Sequence, residues 1–169
     1  MNRKREGVLL SLAFVLSVAA DQWFKHWITE HIPLGAGQGS GNLPLIPGVL
    51  HLTHVHNDGA AFSMLRGGRW LFLALLACFC ALVVWALVTD QLPTAFLRWM
   101  AVLAAGGAVG NGIDRALYGY VVDMFETEFI RFAVFNIADI IMCVCAGLFV
   151  IYLLFHRELL ADAPGEETK

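Results

Sequence analysis

Trp70 to Val88 holds neither a charged residue nor a proline, and at a rise of about 1.5 Å per residue such a run crosses a hydrocarbon layer roughly 30 Å thick as a helix. Three further stretches are almost as apolar: Val8 to Ile28, Phe96 to Ile113 and Phe132 to Phe155. In lipid every backbone N–H and C=O needs a partner within the protein, which leaves helices or closed barrels as spanning elements. Runs of this length favour helices. The chain is expected to be an all-α membrane protein with four transmembrane helices, and 59% hydrophobic against 15% charged residues fits, since soluble domains carry about 25% charge. A net charge of −3 argues for no nucleic-acid partner, so partners belong to the lipid phase.

Between the first two runs the character changes. Pro33, Pro44 and Pro47, with Gly35, Gly37, Gly39, Gly41 and Gly48, break any helix, and Leu50-His51-Leu52-Thr53-His54-Val55-His56 alternates like a strand. Asn57-Asp58-Gly59 is a turn signal, and residues 60–65 form a short apolar piece suited to the membrane surface. Residues 32–69 are therefore expected to be a small β-rich extracytoplasmic insert between helices 1 and 2. Residues 1–160 read as a single membrane domain and 161–169 as a disordered cytoplasmic tail.

Arg3, Lys4 and Arg5 precede the first run. With Ser17-Val18-Ala19 as a small-x-small site they resemble a cleaved leader, but the run continues through Ile28 with Trp23 and Trp27 suited to an aromatic belt, and a retained helix is the reading adopted. The basic start places the N-terminus, and after four spans the C-terminus, in the cytoplasm. Asp21 and Lys25 stand at i, i+4 near the exit of this helix, where a partly desolvated ion pair can form. Cys78, Cys80, Cys143 and Cys145 all lie inside apolar runs and read as small packing residues, not a disulfide framework or a metal site.

The third run is nearly all small residues from Ala104 to Gly110, as close helix approach in lipid requires. At its end Asn111, Asp114 and Arg115 are spaced to share one helical face. Asp123 lies in a polar connection, 118–131, and Asn136 and Asp139 stand three apart on one helical face at the head of the last run, Asp139 about 24 Å from Phe155 along a helix and so just inside one interface. Ionisable groups at such depth mark sites. Two interacting carboxylates cannot both ionise comfortably, so one keeps its proton while the other acts as a base, an arrangement able to drive water onto an amide without a metal.

Asp21-Gln22 with Lys25, Asn57-Asp58-Gly59-Ala60-Ala61-Phe62-Ser63, Gly106-Gly107-Ala108-Val109-Gly110-Asn111 with Asp114-Arg115, Val121-Val122-Asp123-Met124-Phe125 and Phe135-Asn136-Ile137-Ala138-Asp139 together resemble the lipoprotein signal peptidases, the bacterial signal peptidase II family. The resemblance implies a four-helix inner-membrane aspartic endopeptidase that cuts a prolipoprotein before its diacylglyceryl-modified cysteine; separately, no cofactor is called for and a monomer is expected. It implies Asp123 and Asp139 as the catalytic pair. Asn57, Asn111, Arg115 and Asn136 would line the pocket, Asp21 and Lys25 would brace it, and Gly107 and Asp114 fall within the matching blocks. Two positions depart from the pattern: His56 stands where a Tyr is expected and Met124 where a Phe is expected.

The residues speak against other classes. His54 and His56 share a strand face, but no His-Glu-x-x-His motif supports a metallopeptidase, and His51, His54 and His56 read as solvated strand residues. A serine mechanism lacks a histidine at the right end, His156 being at the other. A small transporter using the Asp/Asn/Arg cluster would need polar groups near the midplane, and Trp70 to Val88 offers none. A structural assembly factor is the remaining alternative.

Overall fold

A computed structural model describes residues 2–35, 43–59, 65 and 67–156. The apolar surface piece expected at 60–64 and the tail at 161–169 lie outside them. Helices α1 (Arg3–His31), α2 (Arg69–Val88), α3 (Ala95–Leu117) and α4 (Ile137–Phe155) are each long and apolar enough to cross a membrane. Strands β1 (Leu43–Ile46), β2 (Leu50–Asn57) and β3 (Val121–Thr127) form one antiparallel sheet in the order β1-β2-β3.

Helix α3 is the spine, and α1, α2 and α4 each pack on it. Its glycines explain how. A Cβ at Gly106 would collide with Ser17 Oγ of α1, one at Gly110 would lie 2.5 Å from Asp21 Oδ2, one at Gly107 would lie 2.8 Å from the Ala138 carbonyl of α4, and one at Gly112 would strike the Leu76 side chain of α2. Successive glycines thus serve different neighbours. Bare backbone lets helices that gain nothing from expelling water approach closely enough for dispersion to hold them.

The sheet differs from expectation in one element. Residues 121–127 are a strand and not part of a polar connection, and Val121, Val122, Asp123, Met124 and Phe125 are all buried. Burial on both faces hides the period-two alternation by which a strand is read. β3 pairs with β2 so that Asn57 faces Val121 and Val55 faces Asp123, with a bulge between Leu52 and Val55. Met124 and Phe125 join Ile28, Ile32, Leu52 and Val122 in a core that fastens the sheet to the C-terminal end of α1. Met124, where the family pattern suggests Phe, is therefore a fully buried packing position.

The last helix begins at Ile137, not Phe132. Phe135 is extended and bridges to Phe125 of β3, with Phe135 N donating to Phe125 O at 3.1 Å. Of the cysteines only Cys145 is buried; Cys78 and Cys143 are exposed and Cys80 is half-buried.

An added methyl at Gly107 meets backbone, whereas one at Gly112 meets the tip of a flexible leucine. Gly107→Ala is expected to cost about 1–3 kcal/mol through overpacking, while Gly112→Ala stays near neutral because better helix propensity offsets the rearranged Leu76. Thermal melts of the two variants in one detergent check this; equal losses would refute it.

Candidate active site

The C-terminal ends of α1 and α3, the N-terminal ends of α2 and α4 and the sheet meet at one end of the bundle, and the sequence-predicted polar residues converge there. Asp123 projects from β3 and is 2% exposed. Its Oδ2 accepts from Asn57 Nδ2 at 2.9 Å and its Oδ1 from Asn136 Nδ2 at 2.6 Å. Asp139 is the third residue of α4, and its Oδ1 accepts from Asn111 Nδ2 at 2.8 Å and its Oδ2 from the Asn136 backbone N–H at 3.1 Å. Asn136 therefore touches both carboxylates.

Asn136 is not on a helical face with Asp139, as the spacing suggested; it is the N-cap of α4. Its Oδ1 accepts from Asp139 N at 3.0 Å while the Asp139 side chain accepts from Asn136 N, the two halves of a capping box. The orphan N–H groups of the helix start thus fix both residues.

Each of the three asparagines has its oxygen already engaged. Asn57 Oδ1 accepts from Gly59 N at 3.0 Å, Asn136 Oδ1 from Asp139 N, and Asn111 Oδ1 from Lys25 Nζ at 2.8 Å and Asn136 Nδ2 at 3.0 Å. An amide whose oxygen is taken can only present its NH2 outward. All three present it to a carboxylate.

Beneath this layer lies a second one. Lys25 Nζ reaches Asp21 Oδ2 at 2.8 Å, Asp114 Oδ2 at 3.0 Å and Asn111 Oδ1, so its three donors meet three acceptors. The pair expected to be partly desolvated is fully enclosed, with Lys25 3% and Asp21 0% exposed. Asp21 Oδ1 also accepts from Ala138 N, Asp114 Oδ2 accepts from Val122 N, and Gln22 Nε2 donates to Asp114 Oδ1 and to the Gly110 carbonyl. Gln22 follows Asp21 in the sequence, and nothing in a lone amide's spacing reveals this bracing role.

Asn111 stands between Asp114 and Arg115 on this side of α3: it meets Lys25 of α1 together with Asp114, and lines the carboxylates' cavity together with Arg115. Arg115 Nη2 donates to the Gly59 carbonyl at 3.0 Å and its guanidinium lies 4.5 Å from the Phe72 ring centre. It ties the turn after β2 to α2 and α3. Gly107 contributes no polar contact; it brings α3 against the residue preceding Asp139.

Asn57, Asn111, Arg115, Asp123 and Asp139 line one end of a cavity of about 730 Å³ whose remaining walls include Phe72, Leu76 and Phe79 of α2 and Ile140 and Val144 of α4. The polar groups occupy one end and the rest is apolar. Such an enclosure holds a mostly apolar ligand and directs one polar bond of it to the carboxylates. The aromatic residues of the wall carry no sequence signal, since Phe72 and Phe79 read as ordinary lipid-facing positions.

Burial, and next the nearby Asp139 charge, push the Asp123 carboxyl up to about 7, against the pull of the Asn57 and Asn136 hydrogen bonds and of Lys25. The histidines are not solvated as expected: His54 is buried with Nδ1 2.9 Å from the Ile32 carbonyl, His51 lies between Glu126 and Glu128, and His56 stacks on Tyr120 with ring centres 3.7 Å apart. Burial, followed by the nearness of His54, lowers the His56 imidazole.

Removing one partner of a buried ion cluster strands the others. Lys25→Met is expected to cost about 3–5 kcal/mol, with part of the loss recovered when Asp114→Asn is added, as denaturant melts of both variants can test. For Asp123 the folded carboxyl titrates above its unfolded value of 3.8, so the folded state binds its proton more tightly and this contribution to stability declines as pH rises from about 4 through about 7. Relative to wild type, Asp123→Asn should therefore gain in melting temperature between pH 5 and pH 8; a constant difference would contradict this.

Residues 13–155 match the family described as Signal peptidase (SPase) II. The lipoprotein signal peptidase of Lactococcus lactis subsp. lactis strain IL1403 is 42% identical over 151 residues, covering 89% of this chain and 97% of that protein. That of Streptococcus pyogenes serotype M6 is 38% identical over 145 residues, covering 86% and 92%. Among solved structures, a bacterial membrane enzyme determined by the in meso method at 2.3 Å superposes with a TM-score of 0.80 at 29% identity over 95% of this chain and 94% of the other. With four helices able to span and a match of this extent, the chain belongs to the signal peptidase II family of multi-pass bacterial membrane peptidases.

Proposed function

We propose that the chain is an aspartic endopeptidase that removes the signal peptide of prolipoproteins, cutting before the diacylglyceryl-modified cysteine, with Asp123 and Asp139 as the catalytic pair. One observation carries the reading: two carboxylates from different elements, joined through Asn136, open together at the polar end of an otherwise apolar cavity. A signal peptide is an apolar segment with one scissile amide near its end. The cavity has the matching polarity.

In this mechanism Asp123 holds the shared proton, in keeping with its raised titration, and donates a hydrogen bond to the scissile carbonyl. Asp139 takes a proton from water as the water oxygen attacks the carbonyl carbon. The tetrahedral species then collapses, its C–N bond breaks, and the proton on Asp139 passes to the leaving nitrogen. Asn57, Asn111 and Asn136 hold the carboxylates, and Arg115 fixes the turn at Gly59 that roofs them. Lys25, Asp21 and Asp114 act below as braces, and Gly107 sets the distance between α3 and α4.

The residues from 1 to 160 work as one peptidase domain, and the chain acts as a monomer. Arg3, Lys4 and Arg5 lie at the opposite end of α1 from the carboxylates; by the positive-inside bias that end faces the cytoplasm and the pair lies near the outer face. Water reaches Asp123 and Asp139 from that surface. Helix α2 packs on α3 and little else, so the space between α2 and α4 is the route by which a membrane-embedded signal peptide enters.

Cleavage of a diacylglyceryl-modified prolipoprotein by the purified protein tests the reading. Asp123→Asn and Asp139→Asn should each remain folded and lose activity by roughly 10²–10⁴-fold or more, and a chelator should change nothing. The rate of the wild type should fall as pH rises through about 7, where Asp123 gives up its proton. Near-normal activity in either variant, or inhibition by the chelator, would refute the dyad.

A further inference from the structure

Before α4 begins, the chain runs extended, and Phe135 is where it joins the sheet. Phe135 N donates to Phe125 O at 3.1 Å and Phe125 N donates to Phe135 O at 2.8 Å, so the two residues exchange both bonds of an antiparallel pair. In such a pairing the N–H and C=O of the residues on either side point the other way. The backbone groups of Val134 and Asn136 are therefore turned from β3. Asn136 is extended as well, and its N–H is taken by Asp139 Oδ2 at 3.1 Å. Val134 N–H and C=O have no partner among the described residues.

Val134 is half-buried and lines the cavity that holds the two carboxylates, together with Ala133 and Phe135. An unpaired N–H and C=O at the wall of a mostly apolar cavity are costly unless a bound molecule supplies the complementary groups. The backbone of an extended peptide supplies both from a single residue. The position is also suitable. Val134 lies two residues before Asn136, which bonds both carboxylates, and at a rise of about 3.3 Å per residue a strand paired at Val134 passes the carboxylates within about two residues of the pairing point.

We propose that Val134 N–H and C=O pair with one residue of the signal peptide just before the scissile amide, so that this stretch adds as a short strand to the free edge of residues 132–135. The pairing rests on the peptidase function proposed above and deepens it: the substrate is held there by its backbone. A helical substrate keeps its amides bonded within itself, and an edge offering both a donor and an acceptor favours the unwound form that Asp123 and Asp139 need. Because every peptide presents the same amides, such a contact sets one register for signal peptides of differing side chains.

Synthetic diacylglyceryl-modified prolipoprotein peptides, each N-methylated at one of the four amides preceding the scissile bond, test this in binding to Asp139→Asn and in cleavage by the wild type. Methylation at one position, about two residues before the cut, should raise KM roughly tenfold with kcat nearly unchanged, as loss of uniform binding does. The neighbouring positions should cost much less. Val134→Pro removes the N–H where extended backbone accommodates proline, and should raise KM for the unmethylated peptide similarly. Its effect and that of the sensitive methylation should be less than additive, since both bonds belong to one pair. Val134→Ala, which keeps the N–H, should preserve the dependence on position. Cleavage with equal penalties at all four positions, or with a penalty fully additive with Val134→Pro, overturns the pairing and leaves the peptidase. A peptide that binds with the expected dependence on position but is not cut by the wild type overturns the peptidase and leaves the pairing.

Discussion

One ammonium group, Lys25 Nζ, links the elements on which the site depends. It binds Asp21 on its own helix and Asp114 and Asn111 on α3; Asp21 in turn caps Ala138 N of α4, and Asp114 holds Val122 N of β3. Such a cluster is costly to assemble, because several charges leave water together. What it confers is register. An apolar interface tolerates a helix sliding by part of a turn, whereas three acceptors converging on one ammonium do not.

That register is handed upward through Asn111. Its oxygen is held from below by Lys25, so its NH2 faces Asp139; Asn136 and Asn57 are turned the same way by backbone N–H groups. No side-chain carboxylate is needed to orient these amides directly. The arrangement gives both carboxylates hydrogen-bond donors that cannot rotate away, and leaves their remaining lone pairs for whatever enters the cavity.

Much of this was legible in the sequence, and the failures share a cause. The spans were visible because hydrocarbon demands long uninterrupted apolar runs, and the carboxylates because ionisable groups beside such runs need a reason. β2 showed its alternation. β3 did not, because a strand covered on both faces has no polar side, and Val121 to Phe125 beside Asp123 resembled a loop. The start of α4 lies five residues after Phe132, because the four apolar side chains from Phe132 to Phe135 read as helix, and hydrophobicity does not distinguish an extended segment pairing with β3 from a helical turn. Asn136 as an N-cap, with Asp139 three residues on, was a signal present in the chain; an aspartate in the place usual for glutamate, read as a catalytic residue, obscured its capping role. The orientation of His54 and His56, one buried and one stacked, followed from long-range pairing that local pattern does not carry.

The same helix that carries the polar residues carries the glycines, and this coupling has a consequence for the chemistry. Gly107 touches the carbonyl of Ala138, the residue before Asp139, and Gly110 touches Asp21, whose other oxygen holds Ala138 N. The first turn of α4 is thus positioned from two sides by bare backbone of α3. Asp123 is fixed by strand pairing, by Asn57 and by Asn136, the residue that caps α4. The separation of the two carboxylates is therefore set by where β3 and the first turn of α4 are held, with Asn136 bridging the two, and the α3–α4 approach fixes the α4 side. In a bilayer, where no hydrophobic force drives helices together, that approach rests on side chains small enough to permit it, which is why α3 must be nearly featureless on the faces just below its most polar turn.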